Sequence, residues 1–166
     1  MDNVELFFKA VPERVIAKGD TLKKLDAIEN IIFVGYPAGL WDVKHLIPII
    51  RQGITATPPQ LDFSGLKAFL VSAPVFPGSS GSPVFLYDKS GTYIDKVTGN
   101  IVIGSRFYFL GVISSVFTMP DYGKIILPTE LQPYVQYKQF VDLGIVYKAE
   151  TIIETIEALL KEKGEL

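Results

Sequence analysis

Phe76–Phe85 reads FPGSSGSPVF, with two glycines, three serines and two prolines between apolar flanks. Gly78 and Gly81 reach backbone angles that other residues resist, and Pro77 and Pro83 fix φ on either side. The stretch predicts a tight, preset turn with Ser80 near its middle. Such a turn is either a plain loop or a device that aims a hydroxyl and backbone N–H groups at one point. On the second reading Ser80 is a nucleophile, and the question becomes where its base lies.

Outward from this turn, helical periodicity is poor until the end of the chain. Short runs rich in β-branched and aromatic residues alternate instead with turn signals. The candidate strands are Val4–Lys9, Ile31–Tyr36, Leu46–Ala56, Leu66–Val71, Pro83–Tyr87, Ile101–Val116 and Lys124–Leu127. The breaks are Pro37-Ala38-Gly39, Pro58-Pro59 with Gly65, the Pro77–Pro83 loop, Asp88–Asn100 and Met119–Gly123. Ile101–Val116 is too long for one strand, so a bend is expected at Gly104-Ser105 or Arg106. Roughly six strands at this spacing predict a small antiparallel barrel or sandwich. In Glu150–Lys163, Ile152, Ile153, Ile156, Leu159 and Leu160 fall at helical spacing. Thr151 with Glu154 predicts a capping box, and Gly164 a stop. Residues 10–30 read as a connector.

Composition narrows the function classes. The 166 residues suffice for one well-buried domain, and the net charge of −2 comes from scattered acids and bases. No basic run exists to track a phosphate backbone, which argues against nucleic acid as a partner. There is no cysteine, so disulfides, thiolate-ligated zinc and a cysteine nucleophile are excluded, and the single histidine, His45, rules out a multi-histidine metal site. The N-terminal MDNVELFFKAVPERV is not a secretory signal, which favours a cytoplasmic location. Ile101–Met119 is the most apolar window, but Arg106 and its alternation read as a buried hairpin rather than a membrane span. Mean hydropathy is nonetheless high, at +0.30. A domain this apolar is expected to cover part of its surface with something outside the chain.

Acyl transfer through a serine needs an exposed hydroxyl, a base to take its proton, and donors for the developing oxyanion. Gly78-Ser79-Ser80-Gly81 can supply the first and the third, through the Ser80 hydroxyl and the Gly78 and Ser80 N–H groups. Pro77–Pro83, PGSSGSP, resembles the Gly-Asp-Ser-Gly-Gly-Pro segment of trypsin-like proteases. It is closer still to the Pro-Gly-Asn-Ser-Gly-Gly-Pro form of the bacterial high-temperature-requirement proteases. Ile32–Gly39 (IFVGYPAG) looks like the strand and turn that open the second barrel of those enzymes, and Ile50–Thr57 (IRQGITAT) like the strand that follows. Leu110–Val116 (LGVISSV) is similar to the Gly-Ile-Val-Ser segment that lines their substrate cleft, and the last helix fits their C-terminal helix. Two departures stand out: Ser79 replaces the usual Asp or Asn, and Ser82, which adds a Cβ near the oxyanion hole, replaces the second Gly.

The resemblance implies an all-β fold, the six-stranded antiparallel second barrel of the chymotrypsin fold with a C-terminal α-helix. Residues 1–30 would be the end of the first barrel and the inter-barrel connector, 31–149 the barrel with the nucleophile loop, and 150–166 the helix. It implies a serine endopeptidase acting on peptide or protein substrates, with no cofactor and no metal. Ser80 would be the nucleophile, and the Gly78 and Ser80 N–H groups the oxyanion hole. Ser114, Ser115 and Val116 would form the edge that binds substrate backbone; read without the resemblance, Ser114 and Ser115 are equally small strand residues. Pro74 falls at the floor of the primary specificity pocket, where it offers no charge and favours an apolar or small side chain.

The family carries its His and Asp in the first barrel. His45 lies too late in that order, without an Asp at suitable spacing before Ser80, and reads as a surface histidine near Trp41-Asp42. The chain is therefore expected to be the C-terminal half of such a protease, inactive alone, lacking its N-terminal barrel and prone to self-association through the face left uncovered. Asp88-Lys89-Ser90-Gly91 reads as a hairpin turn rather than a calcium loop. The rival readings are a non-catalytic module that captures an extended peptide by strand addition, and a pseudo-protease subunit.

Overall fold

A computed structural model describes residues 10–89, 91–96, 98–124 and 134–165, with the side chains of 122–124 and 134–138 excepted. The strands are β1 (Asn30–Gly35), β2 (Ile49–Thr55), β3 (Ala68–Ser72), β4 (Pro83–Asp88), β5 (Thr92–Ile94), β6 (Ile101–Ile103), β7 (Arg106–Lys124) and β8 (Tyr134–Lys148). Six of them close a barrel in the order β1-β2-β3-β8-β7-β4. Every neighbouring pair in it is antiparallel. This is the all-β barrel expected from strand spacing. β5 and β6 pair separately as a two-stranded ribbon, placing a strand inside the stretch read as a loop.

The interior follows from strand parity. Ile31 and Phe33 of β1 and Val84 and Leu86 of β4 point inward, while β3 is buried from Ala68 through Val71. With Phe69, Leu110, Ile113 and Val146 they form one continuous core. The stretch read as a connector contributes to it, because Ala17, Leu22 and Leu25 are fully buried there. Ala17 N–H donates to the Phe109 carbonyl at 2.9 Å and lays this segment against β7.

β7 departs most from the expected elements. The break at Gly104-Ser105 is present, but the strand then runs for 19 residues, through Met119–Gly123, where a turn was expected. Pro120 is tolerated in it because, among the described residues, β8 is the only strand paired with this part of β7, which makes it an edge. Ile125–Leu127, the rest of an expected strand, and Val4–Lys9 lie outside the described residues.

The terminal helix, α2, spans Ala149–Lys163 and ends at Gly164 in the left-handed conformation, φ 71°. Its start is not the capping box expected. Thr151 Oγ1 donates to the Lys148 carbonyl at 2.7 Å, and Glu154 is drawn away by Lys67. Ile152, Ile153 and Leu160 are partly buried, whereas Ile156 and Leu159 remain half exposed. No helix among the described residues is long and apolar enough to cross a membrane.

One polar network ties the N-terminal segment to the sheet. Glu29 is buried and receives Arg106 Nη1 and Nη2 at 2.9 and 2.7 Å, while Asp88 lies 3.4 Å from Nη2. The Arg106 guanidinium also covers the Tyr93 ring at 4.5 Å. Removing one partner of a buried pair strands the other charge. Arg106→Met is therefore expected to lower stability by about 3–5 kcal/mol in urea unfolding. The double variant Arg106→Met/Glu29→Gln should recover most of the loss. A double variant as unstable as the single would show that the stranded carboxylate is not the cause.

Candidate functional site

β3 ends at Ser72, and the chain buries Ala73 and Val75 before it reaches the turn. Pro74 between them is exposed, and its carbonyl accepts Arg51 Nη1 at 2.8 Å. Two overlapping turns then follow: Ser79 N–H donates to the Phe76 carbonyl and Ser82 N–H to the Ser79 carbonyl, each at 3.0 Å. Gly78 and Gly81 have φ of 88° and 84°, the left-handed region that favours glycine. At Gly78 space matters as well, since a Cβ would stand 2.9 Å from the Tyr36 carbonyl oxygen. The turn is thus packed against Tyr36–Gly39, and Ala38 N–H donates to the Pro77 carbonyl at 2.8 Å.

The two central serines face opposite ways. Ser79 is fully buried, and its Oγ accepts Arg51 Nη2 at 2.8 Å and Phe76 N–H at 3.3 Å. Ser80 is exposed, and its hydroxyl donates to the Ser114 carbonyl at 2.8 Å. Arg51 comes from the inward side of β2, with its guanidinium 4.4 Å above the Phe33 ring. Burial lowers its proton affinity, and it has no ion pair among the described residues.

Most N–H groups of the turn are spoken for. Pro77 has none. Ser79 donates to Phe76, Gly81 to Ile113 at 2.7 Å, and Ser82 to Ser79. Among the described residues, Gly78 and Ser80 N–H have no acceptor. They are the two donors that the sequence singles out for an oxyanion.

Ser114 reaches Ser80 because of a bulge. β7 pairs Ile113 with Val146 and then Ser115 with Ile145, which leaves Ser114 as the extra residue. β4 pairing stops at Pro83↔Val112, and Ile113 exchanges hydrogen bonds with Gly81 and Ser82. Beyond Ile113, this edge of β7 has no strand partner among the described residues. Ser115 is exposed on it, while the Val116 side chain packs against the core.

The Ser82 side chain turns away from the Gly78 and Ser80 N–H groups. It is buried and points at Gly35, where a Cβ would lie 2.0 Å from its Oγ. His45 sits on an exposed hairpin tip with its Nδ1 3.1 Å from Asp42 Oδ2. Asp42 Oδ1 also accepts the Lys44 and His45 N–H groups, at 2.9 and 3.0 Å. The His45 ring, then this backbone, holds the Asp42 carboxyl below its usual range. The tip has an acid partner that sequence spacing did not give it, yet among the described residues Ser80 Oγ bonds only to Ser114.

Sequence reasoning missed Arg51 altogether. The alternation of β2 gives no warning, because outward Ile50 and Ile54 are as apolar as inward Ile49. A separate cleft of about 400 Å3 is lined by Lys24, Asp26, Glu29, Asp88, Tyr93 and Arg106. Arg106 is consumed there by Glu29 and Asp88, and Asp26 by Lys96, so the cleft reads as structural. No group of three or more His, Asp or Glu that could hold a metal occurs among the described residues.

Set against known protein families, curated proteins and solved structures, the chain matches none.

The Gly35–Ser82 contact gives a direct test of how tightly the turn is seated. Gly35→Ala is expected to cost about 1–3 kcal/mol in thermal melting, the usual range for overpacking. The same change in a Ser82→Gly background should cost less than half as much. Equal costs in the two backgrounds would show that the Ser82 side chain does not set the fit.

Proposed function

We propose that this chain is the nucleophile-bearing barrel of a trypsin-like serine endopeptidase. The observation that carries the reading is the N–H accounting of the turn, in which Gly78 and Ser80 alone are left to donate. Two backbone donors beside an exposed hydroxyl are what a tetrahedral oxyanion requires, each contributing roughly 3–4 kcal/mol in comparable sites. The open edge of β7 at Ser114–Val116 supports the same reading, since an extended substrate would add there as a strand. Pro74 supports an uncharged primary pocket less directly, because its carbonyl is already taken by Arg51.

The base comes from outside the described residues. The Ser80 proton rests on the Ser114 carbonyl, which cannot accept it in a reaction, and among the described residues the His45 ring is bonded to Asp42 and not to Ser80. A second polypeptide segment bearing His and Asp would complete the triad and cover the apolar side chains bordering the turn. Phe76 and Phe140, edge to face at 6.1 Å, are each more than a third exposed there. A second reading, a module that binds peptides without cleaving them, is favoured by the same parked hydroxyl.

Chemical rescue separates the two. On the protease reading, a fluorophosphonate labels Ser80 slowly, because an unassisted hydroxyl is a weak nucleophile. Added imidazole should accelerate that labelling in proportion to its concentration, with the modified peptide mapping to Ser80 and lost in Ser80→Ala. Peptide hydrolysis by the chain alone should stay at background, since loss of the base removes several orders of magnitude in rate. Labelling that ignores imidazole, or that persists in Ser80→Ala, would leave the peptide-binding module as the better account.

A further inference from the structure

We propose that the Gly78–Ser80 turn captures the free C-terminal carboxylate of a peptide lying along the open edge of β7. The inference rests on the reading of this site as a peptide-binding one, and it names the end of the peptide that the site selects. Three observations converge on it. The Gly78 and Ser80 N–H groups lack an acceptor among the described residues. The residue between them, Ser79, is held from behind by a guanidinium. Among the described residues that guanidinium has no carboxylate partner, and its Nε is buried without a hydrogen bond.

The acids on the adjoining segments do not compensate Arg51. Asp42 is committed to its own turn and to His45, and Asp142 makes no ion pair among the described residues. A cation on the barrel's inward side, stacked on Phe33, is less screened by water than a surface one. Its potential is felt at the turn it supports. An internal peptide carbonyl placed on the two N–H groups gains two neutral hydrogen bonds. A terminal carboxylate gains two charge-assisted bonds and neutralises the Arg51 field, so the site prefers a chain end to a chain interior. Capture of a chain end by backbone donors is a recurring mode of peptide recognition, here placed beside an edge that accepts a strand.

The test compares one peptide in two chemical forms against the isotopically labelled full chain. Acetyl-Ala-Ala-Val-Ala is titrated as the free acid and as the carboxamide, with the Gly78 and Ser80 amide resonances followed by NMR. The acid should shift both amides and bind about tenfold more tightly than the carboxamide, the ratio set by one strengthened ionic contact. Arg51→Met should bring the acid down to the affinity of the carboxamide, and Arg51→Lys should retain part of the difference. Should Arg51→Met fail to fold, added salt replaces it: acid binding by the unaltered chain should weaken with salt while carboxamide binding does not. Equal shifts from the two forms, shifts that avoid Gly78 and Ser80, or no shift up to about 20 mM would overturn the proposal. Ser80→Ala keeps both N–H groups and should keep the preference for the acid. A turn that takes the acid but is never acylated would sink the nucleophile and leave the carboxylate site standing. Acylation without any preference for the acid would do the reverse.

Discussion

β7 must pair with β4 along one edge and β8 along the other, and the geometry of the molecule follows from how it manages both. The strand admits extra residues where the two registers conflict. Leu110 is one, between the pairs Val84↔Gly111 and Phe85↔Phe109; Ser114 is another, between Ile113 and Ser115. Each bulge turns the strand and frees backbone groups from the ladder. The first depends on Gly111, where a Cβ would fall 1.9 Å from the Tyr147 carbonyl oxygen, so β7 and β8 approach closely only because that side chain is absent. The second releases the Ser114 carbonyl to face the turn. The barrel's closure and the placing of Ser80 are therefore one geometric event.

Two arginines show how differently the same side chain is used. Arg106 is held bidentately by Glu29 and approached by Asp88, and its burial is compensated by geometry and charge. It secures the N-terminal segment, and nothing further is asked of it. Arg51 is compensated only by dipoles, the Pro74 carbonyl and the Ser79 oxygen, together with the Phe33 face. Even partial burial of a cation without an anion among the described residues disfavours its charge, which is why its proton affinity falls. That cost is tolerated where the charge fixes the turn behind Ser80, tying the residue before its start to the one at its centre.

The barrel was legible in the sequence because turn chemistry punctuates it. Gly104-Ser105, the Pro77–Pro83 run and Gly164 each mark a boundary that the structure keeps. The errors fall where tertiary pairing overrides local signals. Met119–Gly123 contains Pro and Gly yet continues β7, because β8 supplies a partner over its length. Residues 10–30 read as a connector by composition, yet Ala17, Leu22 and Leu25 are pulled into the core. Of the candidate site, the turn and its donors were readable from glycine spacing, and Ser114 from resemblance. Arg51 was not, because nothing local distinguishes an inward arginine from an outward one on a strand that is apolar on both faces. Asp42 was named as a neighbour of His45, but its bond to the ring depends on the folded hairpin tip.

The bond between Ser80 and Ser114 bears on both readings of the site. It joins neutral groups at an exposed position, so breaking it costs only about 0.5–1.5 kcal/mol. The hydroxyl is thus parked rather than locked, and among the described residues no base is bonded to its oxygen. The Ser114 carbonyl has a second lone pair, so it can accept an N–H from an incoming strand without releasing Ser80. Strand addition on β7 and retention of the hydroxyl are therefore compatible, and a peptide can occupy the edge before any base arrives. The two proposed readings therefore part at a single atom: both would draw on the Gly78 and Ser80 N–H groups, whereas only acyl transfer would draw on the Ser80 oxygen.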